Sequence, residues 1–124
     1  HGQDLESLKI PLFTEVYEID GPYFFGIANK FDDISRRTQS GEQKVRIIRM
    51  RKVSFIDSTG IHNLEQLHLR LQRDGIQLVL SGVNDKVFSA LDKAGLVNKI
   101  GRENVRNHIN GALARAAEIV KLGD

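Results

Sequence analysis

Asp57-Ser58-Thr59-Gly60 places a carboxylate, two neighbouring hydroxyls and a glycine directly after the strand-like run Val53 to Ile56. Apolar residues at helical spacing, Ile61, Leu64, Leu67 or His68 and Leu71, follow it. Such an order sets a strand-to-helix turn, where Asp57 or Ser58 can accept from the free backbone amides of the first helical turn. A cap and a tight turn account for every residue type present. The same position also suits an anion, because the amino end of a helix presents N–H groups and positive dipole. Phosphorylation of Thr59 or Ser58 adds ~1.5 to 2 negative charges, which the helix end favours and Asp57 opposes. Asp57 to Gly60 is therefore read as a switch turn, with Thr59 and Ser58 as its phosphoacceptor-like residues.

Other chemistry finds little material in the chain. Ser58, Asp57 and His62 have the composition of a catalytic triad, but adjacent side chains at a helix start do not give that geometry and no GxSxG elbow is present. No catalytic residue is assigned. The four histidines, His1, His62, His68 and His108, have no compact metal-ligand spacing and are read as structural or surface residues, so no metal site is assigned. With no cysteine, thiolate ligation and disulfides are excluded. Neither a Walker lysine loop nor a GxGxxG supports a nucleotide, and no cofactor is expected.

The elements around the turn follow from periodicity. Phe13 to Ile19 reads as a strand, Asp20-Gly21-Pro22 as a turn and Tyr23-Phe24-Phe25 as a short returning strand, an antiparallel hairpin. Of the two adjacent aromatics, Phe24 and Phe25, alternation buries one and leaves the other for a partner. Ile27, Phe31 and Ile34 give a helical face, and Val45 to Ile48 the next strand. Asp74-Gly75 ends the helix that begins at the turn, and Leu78 to Leu80 forms a strand broken by Ser81-Gly82. Asn84 or Asp85 caps a helix bearing Val87, Phe88, Leu91 and Ala94, with Gly95 as its left-handed terminus. A short strand is expected over 97–100, and Asn107 is expected to cap a last helix with Ile109, Leu113, Ala116 and Val120 on one face. The fold class is α/β: a mixed, mostly parallel sheet of four to five strands opened by the hairpin, with about four helices.

Composition bounds the rest. The 124 residues fit one domain, 13–124, behind an N-terminal extension, 1–12, whose His1-Gly2 reads as an expression remnant. Hydrophobic residues at 40% and charged residues at 27% fit a folded soluble protein, and no apolar run reaches the ~18 residues of a membrane span. Lysine and arginine total 18 against 16 acids, too small an excess to argue for nucleic acid. Five bases, Lys44, Arg46, Arg49, Arg51 and Lys52, crowd into KVRIIRMRK. They read as solvated charges flanking a buried strand, with an acidic partner or anionic headgroups as the sharper alternative.

VSFIDSTGIHNLEQL, the GIQLVLSGV strand and the VFSALDKAGL helix together resemble the STAS domain, shared by anti-sigma-factor antagonists and the cytosolic tails of SulP anion transporters. EVYEIDGPYFFGIANKF resembles the start of the transporter tails in particular. The resemblance implies a non-catalytic regulatory and interaction domain at the cytoplasmic face of the inner (plasma) membrane, near its surface but not inserted. Its implied partners are the transmembrane anion-transport domain of the same polypeptide, a cytosolic regulatory protein and a second copy of the chain. Nucleic acid is not among them. The family's phosphoacceptor serine falls at Thr59 and its acid at Asp57. Ile61 and His62 beyond the turn, with Ser81 and Gly82 after the next strand, are expected to contact a partner or an anion. The alternative is a free-standing antagonist switched by phosphorylation at this turn, and a third class is an enzyme acting on a nucleotide near the turn. STAS domains have been proposed to bind purine nucleotides there, but no motif of this chain supports weak nucleotide binding.

Overall fold

The computed structural model describes residues 9–19 and 43–122. Among these described residues, three five-residue strands, β1 (Thr14–Glu18), β2 (Val45–Arg49) and β3 (Gln77–Ser81), lie in the order β1-β2-β3. Both pairings are parallel, so Thr14, Val45 and Gln77 open in one row and Glu18, Arg49 and Ser81 end in another. Four α-helices accompany them among the described residues: α1 (Ser58–Arg73), α2 (Asp85–Lys93), α3 (Leu96–Ile100) and α4 (Ile109–Leu122). The expected hairpin return over 23–25 and the helix through Ile27, Phe31 and Ile34 lie outside the described residues, as do Phe24 and Phe25.

A parallel sheet must be covered on both faces, and the alternation of β2 and β3 serves two layers. Tyr17, Ile48, Leu78 and Leu80 pack with Leu64, Leu67 and Leu71 of α1, Val87 and Leu91 of α2, and Leu96, Val97 and Ile100 of α3. Val45, Ile47 and Val79 face the other way, against Ile109, Ala112, Leu113 and Ala116 of α4. All five residues of β2 are buried, including Arg46 and Arg49. The expectation of solvated charges around this strand is therefore corrected for those two. Arg46 is held by Glu15 of β1 at 3.0 Å, and Arg49 lies 4.0 Å from Glu18.

Two other expectations change. Residues 96–100 form α3 rather than a short strand. Gly95, at φ 80°, turns the chain into a new helix, and the buried Leu96, Val97 and Ile100 recur at helical rather than alternating spacing. Extended pairing comes later, where Val105 bridges Leu80 in parallel and the Arg106 amide donates to the Leu80 carbonyl at 2.8 Å. The last helix opens at Ile109, and the ring Nδ1 of His108, rather than the Asn107 side chain, accepts from the Asn110 amide at 3.1 Å.

His68 sits on the buried stripe of α1, 7% exposed. Burial pushes its imidazole below the ordinary 6.5, with the Glu65 carboxylate pulling the other way. A group held neutral in the fold but free to protonate when unfolded contributes stability that is complete above about pH 6.5 and is lost as the pH falls below it. Urea midpoints of the wild type should therefore fall between about pH 7 and pH 5, and less steeply in His68→Leu. Parallel pH profiles of the two proteins would assign the loss elsewhere.

Candidate functional site at the carboxyl edge of the sheet

β2 leaves the sheet through a turn closed by the Val53 amide on the Met50 carbonyl, 3.0 Å. Val53 and Ile56 then anchor the approach to α1 in the core, while Phe55 between them is 46% exposed. Asp57 is extended at φ −101° and ψ −178°, and its Oδ1 accepts from the Gly60 amide at 2.8 Å. That bond satisfies one of the free amides of α1 and is worth about 1 kcal/mol. Asp57 is thus the cap. Ser58 and Thr59 are exposed in the first turn, Gly60 is buried against the core, Ile61 is half-buried at its margin and His62 is exposed. No acidic residue stands within that first turn itself. Chemically, the arrangement presents two accessible hydroxyls at the positive end of a helix.

Ser81 and Gly82 also end at the carboxyl edge but lie elsewhere. Ser81 is in register with Arg49 and so shares the α4 face of the sheet, whereas α1 covers the opposite face. The structure therefore separates the pair Ser81 and Gly82 from Ile61 and His62. Ser81 and Gly82 line a cleft of about 220 Å³ with Arg49, Arg51, Asn107, His108 and Ile109, the last three at the amino end of α4. Gly82 has φ +69°, and a Cβ there would stand 2.7 Å from the Arg51 backbone nitrogen. Only a glycine lets β3 leave the sheet so close to the β2 turn.

Glu18 organises the cations beside this cleft. Arg51 Nε lies 3.0 Å and Lys52 Nζ 3.1 Å from its carboxylate, and Arg49 Nε lies 4.0 Å away. Burial works to raise the Glu18 pKa, but hydrogen bonds from Arg51 and Lys52 outweigh it and hold the carboxyl below the usual 4.5. Burial pushes the Arg49 guanidinium below its ordinary pKa, and the neighbouring Arg51 adds to that while Glu18 opposes it. Arg49, Arg51, Asn107 and His108 were not expected at this place. For Arg49 the signal in the sequence was the strand-end position it shares with Glu18 and Ser81, which has meaning only once the register is known.

Among the described residues no three His, Asp or Glu side chains gather as a metal site would require, and no helix is long and apolar enough to cross a membrane. The STAS-domain profile matches residues 9–112. A probable sulfate transporter 4.2 of Arabidopsis thaliana is 31% identical over 100 residues, which covers 71% of this chain and 15% of the transporter. A crystal structure of a sulfate transporter family protein from Wolinella succinogenes superposes with a TM-score of 0.83 at 38% identity, covering 95% of this chain and 96% of that one. The STAS domain of a SulP transporter from Vibrio cholerae gives 0.79 at 32% identity, covering 92% and 88%. The two-layered sheet, the capped turn at Asp57 and these matches have one common explanation: the chain belongs to the STAS-domain family, and it is similar to the STAS domains of SulP transporters.

Proposed function

We propose that this chain is the cytosolic regulatory domain of a larger SulP-type anion transporter, and that the turn at Asp57 to Gly60 is where its state is read. The carrying observation is that 71% of this chain aligns with only 15% of a sulfate transporter, which leaves the transport chemistry to the rest of such a protein. The exposed Thr59 and Ser58 on the positive end of α1, beside the exposed Phe55, support a contact that added charge would change. The transmembrane domain of the same polypeptide or a cytosolic regulator would make that contact.

An antibody against this domain, used on membrane and soluble fractions of source cells, should mark a membrane-bound polypeptide much larger than 14.0 kDa. A soluble band of the chain's own size would favour the free-standing antagonist instead. In the full-length protein, Thr59→Glu should change sulfate uptake by about two- to fivefold relative to Thr59→Ala, the effect of one charge at a helix end. The variant's circular dichroism melt should match the wild type. Equal uptake by both variants would remove the turn from regulation without touching the assignment to a transporter.

A further inference from the structure

We propose that the cleft between the ends of β2 and β3 and the start of α4 binds a small tetrahedral oxyanion, of the sulfate or phosphate class. Ser81 provides the first observation. It is 1% exposed, and its buried Oγ has no hydrogen-bond partner among the described residues. Leaving a buried hydroxyl unsatisfied is unfavourable, and polar groups in folded interiors are otherwise paired. Because Ser81 lines the cleft, a ligand there can supply the missing acceptor.

The rest of the lining fixes the ligand's sign. Arg49 and Arg51 bring two guanidinium groups, which match tetrahedral oxyanions through paired N–H donors. Their mutual repulsion, added to the burial of Arg49, already weakens Arg49's hold on its proton. An anion between them would relieve that repulsion. The amino end of the 14-residue α4 closes the cleft through Asn107, His108 and Ile109, adding positive dipole. His108 accepts the Asn110 amide on Nδ1, so its ring proton is assigned to Nε2, which makes the ring a further donor.

Among the described residues the lining has no carboxylate, since Glu18 approaches the arginines without being part of it. Ile109 is the one apolar side chain among those described lining residues, and the remaining apolar surface comes from the stems and backbone of polar residues. A compact inorganic anion with attached water fits these features better than an organic body does. Glu18 competes for Arg51, so the anion need not displace every existing contact, only share that guanidinium. The site stands whether or not the chain is part of a transporter.

The test is an amide-shift titration of this chain by NMR with sodium sulfate and with sodium phosphate, against sodium chloride at matched ionic strength. Saturable shifts at Ser81, Gly82, His108 and Ile109 with sulfate or phosphate, absent with chloride, are the expected result. Ser81→Ala removes only the unpartnered hydroxyl, and Arg51→Gln leaves Glu18 its contact with Lys52, so both should fold. Each should weaken binding about tenfold, as loss of one hydrogen bond to a charged ligand does. Thr59→Ala, on the other face, should not. Adenosine monophosphate distinguishes the source of the oxyanion: shifts equal to those of free phosphate support recognition of the phosphoryl group, carried on an ester or free. Shifts with the nucleotide alone would overturn the proposal, and so would equal effects of chloride or indifference to both variants.

Discussion

Glu15→Ala should lower the free energy of unfolding by about 3 kcal/mol, because it leaves a buried guanidinium without its carboxylate. Arg46, the second residue of β2, is 5% exposed and lies in register with Glu15, whose Oε1 accepts from its Nη2 at 3.0 Å. The guanidinium also stands 5.4 Å from the centre of the Tyr17 ring. Breaking one side of a buried pair costs about 3 to 5 kcal/mol, and the ring contact retained by Arg46 argues for the lower end of that range. Replacing both partners should cost much less, since Glu15→Leu with Arg46→Leu removes the need to desolvate either charge. Urea denaturation of the single and double variants gives the comparison directly. A single variant within about 1 kcal/mol of wild type would mean that the pair is not what stabilises Arg46 in the sheet.

That pair also explains which parts of the fold were legible in the sequence. Caps and helix stops were, because their chemistry is local: Asp57 reaches three residues to Gly60, and Asn84 three residues to Val87. Gly75 and Gly95 likewise ended α1 and α2 through their own left-handed backbones. The burial of Arg46 was not legible, since charged side chains ordinarily stay in water unless paired and its partner lies 31 residues away. Val97 to Ile100 was misread for a different reason. A four-residue segment with two apolar residues, Val97 and Ile100, carries too few positions to distinguish alternation from helical spacing.

The candidate site divides along the same line. The turn at Asp57 to Gly60 was visible because a cap, two hydroxyls and a glycine are adjacent in the chain. The cleft was half visible, through Ser81 and Gly82. Its cationic side depends on a row that joins Glu18, Arg49 and Ser81 across three strands. The amino end of α4 then meets that row only because the chain crosses to the other face after Val105 has bridged Leu80. Neither relation is local, so neither leaves a motif.

Gly82→Ala should cost about 2 to 3 kcal/mol, which exceeds the price of a left-handed backbone alone. At φ +69° an alanine is strained in any surroundings, and here its Cβ would also stand 2.7 Å from the Arg51 nitrogen and 2.9 Å from the Arg51 Cα. Those are backbone atoms, so no rotamer change relieves the overlap, and the β2 turn must move away from the end of β3. Gly75 provides the control. Its φ is +77°, but nothing lies within 4 Å of a Cβ built there, so Gly75→Ala should show the backbone strain alone, about 1 kcal/mol. The difference between the two variants measures the close approach. Displacing Arg51 should also open the cleft and weaken sulfate binding to the Gly82 variant but not to the Gly75 variant. Equal losses of stability in the two, by urea denaturation, would show that the β2 turn yields freely and that Gly82 is needed only for its backbone angle.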